Sequence, residues 1–509
     1  MFSQPAKIKI RTVSSGSAGN LSVVESSQDL PFSIKRVYYL HGLHENVSRG
    51  FHAHRTLHQC LVAVHGSLEL RLEGPAGKFV FTLSSPGEGV VIPPGYWREM
   101  HEMSEDTVIM VLASADYDES DYIRDYGEFR AWLKSREIRG PVPYLDLGRP
   151  SVPLKEIEEA LSRVLRSGRF INGPEVKAFE TEFAAFLGVR EVVGVGNGLD
   201  ALAIILQALN VGPGDEVVVC AAGFVATALA VTRVGARPVF VDCRPGGNLD
   251  PARLEAAFGD RTRAVIPTHL YGLPADMEAI GAAAGKYGLP VIEDACQAHG
   301  VTLKGRQCGA LGRAAAFSFY PTKNMGALGD GGCIATNDPA LADLARRLAN
   351  YGSVRKYHHD LLGCNSRLDE LQAAVLRLKL KGLPRWNERR RHLAATYEQA
   401  LAGLPGLVRP EAPPEAVPNW HVYAVRVKNG RRDELAAFLA EKGVGTNIHY
   451  PLALHQQGCY AAEYGGQSFP EAEAWAAETL SLPLDAAHSQ AEIDAVCRLV
   501  REFFAEEGS

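Results

Sequence analysis

The chain has 509 residues, 46% of them hydrophobic and 22% charged, with a formal net charge of −6. This is the composition of a globular protein, and its length corresponds to roughly two to four domains of ~150 residues each. The acidic balance argues against nucleic acid as a partner, and the longest apolar run is too short for a membrane span. Nine cysteines without a C-x-x-C pair favour a cytoplasmic location over disulfides or structural zinc.

Residues 8 to about 125 contain short β-rich segments separated by Gly, Pro and Ser clusters. The segments are VYYL, CLVAV, LELRL, FVFTL, VVI and TVIMVLAS. Strands of this length and spacing predict an all-β sandwich or barrel, jelly rolls included. A short helix, DYGEFRAWLKSRE, follows, and IRGPVPYLDLGRP has the composition of a linker. We place a boundary near Gly140, between domains 1–140 and 141–509.

From about residue 152 the pattern changes to strands that alternate with helices. The helix VPLKEIEEALSRVLRSG begins at a proline and ends at a glycine, and buried runs such as DEVVVC, PVFVD and LPVIED follow. This alternation predicts an α/β domain with a parallel sheet covered by helices on both faces. Two long helices are predicted next, RLDELQAAVLRLKLKGL and RWNERRRHLAATYEQAL. We expect a smaller α+β subdomain from about residue 384.

The stretch RGFHAHRTLHQ places three histidines within seven residues. His52 and His54 are two residues apart, so their side chains share one face of a strand. A metal site, structural histidines and an acid/base pair are all possible interpretations. We favour the acid/base pair and predict no metal, because the position where a last ligand is expected is Arg98, whose charge would repel a cation. The ordinary histidine pKa of about 6.5 suits proton transfer near neutrality.

Four features of the second half can belong to one site. Asp294 ends the strand LPVIED, and ligands of open α/β sheets bind beyond the carboxyl ends of strands. Lys323 lies in FSFYPTKNMGALGDGG, among aromatic, hydroxyl and glycine residues with no acid beside it. GVGNGLDAL, around Gly198, predicts a glycine turn and a helix start whose N–H groups can hold an anion. Phe224 follows the next strand and could cover a flat ring.

A pyridoxal phosphate site requires this set of groups. A lysine forms the Schiff base, a carboxylate keeps the pyridine nitrogen protonated, amides hold the phosphate and an aromatic side chain stacks on the ring. Taken singly, each group has an ordinary explanation, such as a surface lysine or an aspartate that caps a helix. Their occurrence together and in this order favours the cofactor site.

The second half closely resembles the DegT-like nucleotide-sugar aminotransferases, a fold-type-I pyridoxal phosphate family, over about residues 144 to 504. The motifs that carry this resemblance are GNGLDAL, GPGDEV, GARPVFVD, HLYGLPADM, VIEDACQAHG, FSFYPTKNMGALGDGG, GCNSRLDELQAA and NIHYPLALHQQ. The resemblance implies pyridoxal 5'-phosphate as cofactor and an amino acid such as glutamate as amine donor. Some relatives carry histidine in place of the lysine and dehydrate sugars, and Lys323 argues against that chemistry.

The resemblance also implies roles for individual residues. Lys323 would bind the cofactor covalently, Asp294 would pair with its ring nitrogen, and Gln297 would hydrogen-bond its phenolic oxygen. The other implied contacts are with the phosphate (Gly198, Leu199 and Ser318), with the ring face (Phe224), with the substrate (His449) and with the phosphate of a neighbouring subunit (Asn365). The last contact implies a homodimer or a higher oligomer. The family commonly has threonine or serine where Leu199 stands, so this position offers only its backbone N–H.

The first half resembles the WxcM-like cupins that act as thymidine-diphosphate 4-keto-6-deoxyhexose 3,4-ketoisomerases, over about residues 8 to 132. The matching stretches are FSIKRVYYL, RGFHAHRTLHQ, GSLEL, VIPPGYW and VLASADYDESDYIRDY. The resemblance implies a jelly roll in which His52 and His54 move protons between C3, C4 and their oxygens, with Tyr38 as a further acid/base group. Three arginines are candidates for gripping the diphosphate, namely Arg36, Arg49 and Arg55.

Together the two halves predict a two-step enzyme. The first domain would convert a nucleotide-linked 4-keto-deoxysugar into the 3-keto sugar, and the second would aminate C3. The expected product is a 3-amino-3,6-dideoxyhexose for a polysaccharide or a glycosylated metabolite. The main alternative keeps the aminotransferase and makes the cupin domain a non-catalytic sugar-binding or dimerisation module. A third interpretation is a regulator with a non-catalytic aminotransferase fold.

Overall fold

The computed structural model describes residues 4–26, 29–45, 47–75, 77–135, 141–149 and 151–505. The chain divides into two compact units, Met1–Arg139 and Gly140–Ser509. The boundary predicted near Gly140 lies at residues 136–140, outside the described residues. None of the helices in the described ranges combines the length and apolar content that a membrane crossing needs.

The first unit is built from antiparallel strands and one helix, α1 (Tyr126–Ser135). The strands are β1 (Ala6–Lys9), β2 (Arg11–Ser14), β3 (Asn20–Val23), β4 (Arg36–Leu43), β5 (Arg49–His54), β6 (Gln59–His65), β7 (Leu68–Gly74), β8 (Gly77–Leu83), β9 (Glu88–Ile92), β10 (Trp97–His101), β11 (Thr107–Ala113) and β12 (Tyr122–Ile123). Two five-stranded sheets form, in the orders β1-β9-β6-β11-β4 and β12-β5-β10-β7-β8. This architecture confirms the predicted jelly roll.

Alternating side chains fill the space between the two sheets. On β7, for example, Leu68, Leu70 and Leu72 are buried while the side chains between them face outward. These leucines share one apolar cluster with residues of β6, β9 and β11 from the other sheet. The inner faces of the sheets therefore form the core of the unit.

A bulge in β5 sets the position of the first histidine. Arg98 on β10 pairs with His52, whereas Glu99 pairs with Gly50, so Phe51 is an extra residue on β5. Gly50 has a φ of +103°, and a Cβ there would lie 2.8 Å from the carbonyl oxygen of Arg98. The glycine therefore permits a close approach of β5 to β10, with His52 directly opposite Arg98.

The second unit is an α/β domain followed by a smaller α+β part. Its strands are β13 (Glu191–Val195), β14 (Glu216–Cys220), β15 (Arg237–Val241), β16 (Thr262–Ile266), β17 (Ile292–Asp294), β18 (Thr302–Leu303), β19 (Arg306–Gln307), β20 (Ala314–Ser318), β21 (Gly332–Thr336), β22 (Ser353–Arg355), β23 (His358–His359), β24 (Leu407–Val408), β25 (Ala416–Val417), β26 (Tyr423–Val427) and β27 (Thr479–Leu482). Its helices are α2 (Leu154–Ser167), α3 (Pro174–Leu187), α4 (Gly198–Ala208), α5 (Ala226–Arg233), α6 (Leu254–Ala257), α7 (Met277–Lys286), α8 (Pro339–Ala349), α9 (Glu370–Ala400), α10 (Arg432–Glu441), α11 (Ala461–Tyr464), α12 (Pro470–Glu478) and α13 (Gln490–Ala505).

The main sheet runs β13-β21-β20-β17-β16-β14-β15, with single bridges joining β17 to β16. It is covered on both faces, because Ala314 and Ala316 of β20 belong to one core cluster and Ala315 and Phe317 to another. The predicted parallel sheet is confirmed for the pairings of β14 with β15 and β16 and of β17 with β20, whereas β21 is antiparallel to both of its neighbours. The segment between β20 and β21 is a loop that carries Lys323, and strands that are joined without a crossover helix run antiparallel.

Helix α9 replaces the two helices predicted after residue 350. It runs for 31 residues with Pro384 inside it, so the subdomain start predicted near 384 falls within a helix. Proline removes one helical hydrogen bond, but both halves of α9 bury residues such as Leu376 and Leu393. Burial of both halves offsets the lost hydrogen bond, and the helix continues.

Candidate active sites

A cavity of about 260 Å³ lies in the first unit. Its polar lining consists of Tyr38, Arg49, His52, Gln59, Arg98, Tyr122 and Arg124. Strands from both sheets supply these side chains, so the cavity is at the inner face of the jelly roll. Three of the residues predicted from the sequence, Tyr38, Arg49 and His52, therefore line one space.

The structure places His52 and His54 next to each other, with ring centroids 5.1 Å apart and planes perpendicular. His52 Nδ1 lies 2.7 Å from the carbonyl oxygen of Gly50, so this nitrogen donates the hydrogen bond. His54 Nδ1 lies 2.9 Å from Asp121 Oδ2, and its Nε2 is buried without a hydrogen-bond partner among the described residues. In neutral histidines of this tautomer, both Nε2 atoms carry a lone pair and can accept a proton.

Asp121, which we did not predict, fixes the orientation of His54. Its Oδ1 accepts hydrogen bonds from the backbone N–H and the hydroxyl of Thr56, each at 2.7 Å. Its Oδ2 is left for His54 Nδ1. Asp121 lies within the motif VLASADYDESDYIRDY, but nothing in that run of acids distinguishes it from Asp118 or Asp125.

Burial keeps both histidines neutral. It lowers the pKa of His52 to about 4, and the charge of Arg98 acts in the same direction. Burial and then Arg98 lower the pKa of His54 to about 2. Burial also raises the pKa of Tyr38, whose hydroxyl accepts a hydrogen bond from Gln59 Nε2 at 2.8 Å. At pH 7 the cavity is therefore lined by the neutral imidazole of His52 and the protonated phenol of Tyr38, and the neutral imidazole of His54 adjoins His52 without lining the cavity.

The arginines of the first unit have different surroundings. Arg49 is exposed at the cavity, and Arg36 lies over the ring of Tyr38 at 5.2 Å without lining the cavity. Arg55, the third arginine predicted to contact the diphosphate, is not among the residues that line the cavity; it follows the end of β5 and pairs with Glu128 of α1 at 2.7 Å. Arg124, which we did not predict, does line the cavity.

In the second unit, Asp294 is held as an acceptor at the end of β17. Thr227 Oγ1 donates to its Oδ2 at 2.6 Å, and the N–H of Cys296 donates to its Oδ1 at 3.2 Å. The carboxylate is buried, with 6% of the residue exposed. Thr227 was not predicted; the available signal was a hydroxyl residue in the otherwise apolar run VVVCAAGFVATALAV.

Lys323 is partly buried in the loop after β20. Burial lowers the pKa of its amine, while the nearby Cys296 and Asp294 oppose this shift. The neighbouring Asn324 fixes the loop, since its Nδ2 donates to Asn387 Oδ1 of α9 at 3.1 Å. Asn387 in turn donates to the carbonyl oxygen of His299 at 2.8 Å. The lysine thus lies on a supported loop in surroundings that favour its neutral form.

Helix α4 begins against the end of β20. A Cβ on Gly198 would lie 2.6 Å from Cys296 Sγ and 3.0 Å from Ser318 Cβ, so only glycine permits this approach. Asn197 caps the helix by accepting from the amide of Asp200. The first amides of a helix, here those of Gly198 and Leu199, have no acceptor within the helix. They lie beside Ser318 and can bind an anion there.

Gln297 is oriented by backbone and aromatic groups. Its Oε1 accepts from the N–H of Tyr271 at 2.6 Å, and its Nε2 lies 3.2 Å from the hydroxyl of Tyr450. The ring of Tyr450 is 5.3 Å from that of Phe224, which is 51% exposed. The amide N–H of Gln297 and the ring of Phe224 are therefore both available to a ligand in this part of the unit.

The last two predicted residues lie on separate loops. His449 Nδ1 is 2.8 Å from Ser481 Oγ, and burial, followed by the charge of Lys323, lowers its pKa to about 4. Asn365 is exposed. Its neighbour Ser366 fixes the loop, because the hydroxyl of Ser366 accepts from the N–H of Gly196 at 2.9 Å.

These groups fit pyridoxal 5'-phosphate by their chemistry. The amides beside Ser318 suit a phosphate, the doubly held Asp294 suits a protonated pyridine nitrogen, and Lys323 supplies the amine. Residues 153–501 match the DegT/DnrJ/EryC1/StrS aminotransferase family. The chain belongs to this family. Residues 4–134 match the WxcM-like, C-terminal family, FdtA, which confirms both resemblances found in the sequence motifs.

Relatives and solved structures agree with this assignment. The dTDP-3-amino-3,4,6-trideoxy-alpha-D-glucose transaminase of Streptomyces venezuelae is 48% identical over 355 residues, which cover 69% of this chain and 93% of that protein. The dTDP-3-amino-3,6-dideoxy-alpha-D-galactopyranose transaminase of Aneurinibacillus thermoaerophilus is 44% identical over 364 residues, covering 71% and 99%. The structure of NtdA from Bacillus subtilis with bound cofactor PMP is 32% identical, with a TM-score of 0.69 over 72% of this chain and 86% of that one. The chain is thus a nucleotide-sugar aminotransferase that uses pyridoxal phosphate.

A buried group next to this site has ligand-type side chains. His269, Glu293 and Cys308 place donor atoms within 4.8 Å of one another. The Glu293 carboxylate already accepts from His269 Nε2 at 2.9 Å and from three backbone N–H groups at 2.6–2.7 Å. His269 Nδ1 accepts from the N–H of Ala275 at 3.1 Å. These hydrogen bonds use the lone pairs that a metal would need, so we interpret the group as structural.

Proposed function

We propose that the chain is a bifunctional enzyme. Its first unit converts dTDP-4-keto-6-deoxyglucose into the 3-keto sugar, and its second unit aminates C3 to give a dTDP-3-amino-3,6-dideoxyhexose. The observation that carries the proposal is the cavity of the first unit, where His52 presents a proton-accepting nitrogen beside Tyr38 and His54. Relatives of the second unit are named for 3-amino sugars, which a 3-keto precursor would supply.

The isomerisation needs two proton transfers at carbon and two at oxygen. A base removes the proton from C3, the electron pair forms the C3–C4 double bond, and O4 takes up the negative charge and then a proton. The O3 hydroxyl next loses its proton, the C3 carbonyl forms, and C4 receives a proton. We assign the carbon transfers to the Nε2 atoms of His52 and His54 and assign oxygen protonation to Tyr38.

In the second unit, pyridoxal phosphate supplies the electron sink for amino-group transfer when it is bound. We propose that Lys323 holds the cofactor and that its neutral Nζ later takes up and returns a proton. Asp294, oriented by Thr227, would pair with the ring nitrogen, and Gln297 would donate to the phenolic oxygen. The remaining proposed contacts are those of the phosphate with Gly198, Leu199 and Ser318, of the ring with Phe224, and of the substrate with His449.

Product analysis tests the two-step proposal directly. The chain, loaded with cofactor, is incubated with dTDP-4-keto-6-deoxyglucose and glutamate, and the product is identified by mass spectrometry and NMR. We expect nitrogen at C3. Nitrogen at C4 would contradict the isomerisation step, and would leave the cupin unit as a sugar-binding or dimerisation module.

We further propose that Asn365 completes the site of a neighbouring subunit, which makes the enzyme a homodimer or a higher oligomer. Lys323→Ala chains and Asn365→Ala chains should each be impaired in amination. In a mixed dimer, both changes fall in one site and the other site is native, so mixing should restore activity. Heterodimers proven by mass that remain inactive would contradict the shared site.

A further inference from the structure

We infer that Arg98 is a further catalytic residue of the first unit, where its guanidinium binds the sugar oxygens at C3 and C4 and stabilises the negative charge that develops on them. This inference rests on the proposed isomerase function. It adds a resident cation to a cavity whose other groups move protons.

The first observation is that Arg98 is buried without a partner. Only 2% of the residue is exposed, and none of its three guanidinium nitrogens has a hydrogen-bond partner in the part of the chain that the structure describes. A buried charge is costly unless it is paired. The nearby carboxylate of Asp121 already binds His54 and Thr56. An oxygen ligand in the cavity would give Arg98 the partner that the protein does not.

The second observation is the position of Arg98 relative to the base. Arg98 and His52 are directly opposite each other on β10 and β5, so their side chains project from the same face of the sheet. Both line the 260 Å³ cavity, together with Tyr38 and Tyr122. A sugar whose C3 proton lies at His52 Nε2 therefore has its C3 and C4 oxygens close to Arg98.

The exposure of the other cavity arginines separates this role from diphosphate binding. Arg49 is exposed, and the side chain of Arg124 is 55% exposed and pairs with Glu119 at 3.0 Å. A diphosphate, which is strongly hydrated, is best bound at such an accessible edge. Arg98 lies on the buried side of the cavity, where the hexose would bind. Fixed donors in a water-excluded site are most effective against charge that appears during the reaction.

The guanidinium of Arg98 keeps its positive charge at neutral pH. Burial lowers its pKa to about 10, so the guanidinium stays protonated at pH 7 and is an electrostatic group rather than a proton donor. Proton balance is therefore unchanged, because the histidines and Tyr38 still carry every proton that moves.

The test uses the full chain with Lys323→Ala, which stops the reaction at the 3-keto sugar. We would measure kcat and KM for the exchange of the C3 proton in heavy water and for the formation of the 3-keto sugar. We expect Arg98→Gln to lower kcat by about 10²-fold with little change in KM, and Arg98→Lys to recover part of the loss. Arg49→Gln should instead raise KM. Arg71→Gln, on the outward face of β7, is the matched control and should change neither.

The outcomes separate the inference from the function on which it rests. If the parent shows no exchange at all, the isomerase proposal fails and the inference fails with it. If the parent is active and Arg98→Gln changes only KM, Arg98 binds the diphosphate and only the inference is overturned. An unchanged kcat and KM also overturns it. Thermal unfolding and the NMR titration of His52, whose pKa should rise without Arg98, show that a slow variant is folded.

Discussion

Each unit contains a nitrogen base whose pKa is lowered by burial, but the two kinds of base start from different ordinary pKa values. An ordinary lysine has a pKa of about 10.4 and an ordinary histidine one of about 6.5. Burial lowers the pKa of Lys323 against the opposing charge of Asp294, whereas burial and Arg98 act together on His52 and His54. Lys323 thus has a carboxylate near its amine, whereas both histidines have the cation of Arg98 near them, and His54 also binds the carboxylate of Asp121.

This difference follows from where each unit obtains its electron sink. In our proposal, bound pyridoxal phosphate would supply the electron sink of the second unit, and the carboxylate of Asp294 would pair with its ring nitrogen. In our proposal, the first unit has only its own side chains, so a protein cation must stabilise the oxygen charge. In this proposal both units remove a proton from carbon, but only the first unit would require a buried arginine.

The strongest test of the comparison inactivates one unit at a time and measures both reactions. Lys323→Ala should lower amination by about 10³-fold or more and leave C3 exchange intact. His52→Ala/His54→Ala should abolish exchange and amination of the 4-keto sugar, yet still aminate a 3-keto sugar supplied by a separate isomerase. Product NMR follows both reactions. Direct amination of the 4-keto sugar by the double-histidine variant would break the comparison.

The Asp294 carboxylate should matter through its charge. Asp294→Asn should slow amination by about 10²-fold while part of the cofactor binding remains, because the ring nitrogen loses its charged partner. Thr227→Val removes one hydrogen bond to that carboxylate, and a resulting increase of about 1.4 kcal/mol in the barrier would slow amination about tenfold. Single-turnover kinetics measure both. Wild-type rates in Asp294→Asn would mean that the residue has another role.

Asp121 should act on the first unit only. Asp121→Asn no longer holds His54 as the Nδ1–H tautomer, and we expect C3 exchange to fall by about 10²-fold with amination of the 3-keto sugar unchanged. Glu128→Gln, which alters only the partner of Arg55, is the matched control. Equal effects of the two changes would indicate damage to the fold rather than loss of the Nδ1–H tautomer of His54.

The smallest expected effect concerns pH, because we expect the rate of C3 exchange to stay constant over a range in which an ordinary histidine would titrate. With the pKa of His52 lowered to about 4, the base stays unprotonated as the pH falls from 8 to 5. The kcat/KM for C3 exchange, which reports the free enzyme, should be constant over that range and fall only towards pH 4. A decline centred near pH 6.5 would mean that burial does not shift the histidine, and the contrast with Lys323 would weaken.

Local patterns in the sequence were sufficient for the strands β4, β6, β7, β8, β9 and β11 of the first unit and for the places of Lys323, Asp294 and His52 on a loop, at a strand end and on a strand. They could not identify Thr227 or Asp121, because each contacts its partner across 67 residues of chain. Arg55 was predicted as a diphosphate contact because of its guanidinium group, but it follows the end of β5 and pairs with Glu128. Pairing across sheets and burial, which no short window contains, determined these contacts.

Two features of the second unit depart from the local sequence pattern for related reasons. Pro384 is a local signal for a break, but packing on both sides of it keeps α9 continuous. The alternation of β-runs with helical stretches predicted a parallel sheet, and β21 departs from it because the segment before β21 is a loop, so that β21 returns antiparallel. In both places the tertiary arrangement, rather than propensity, decided the outcome.

Helix α9 also limits how the second unit can be divided. It is about 45 Å long at 1.5 Å per residue. Its first half packs with the main sheet, and its second half carries Asn387, which supports the Lys323 loop through Asn324. Arg390, one turn further on, donates to the carbonyl oxygen of Leu484 at 2.7 Å. We therefore expect that a chimaera or a split protein joined near 384 would lose the lysine loop together with the C-terminal part, so exchangeable pieces of this unit must keep residues 370–400 whole.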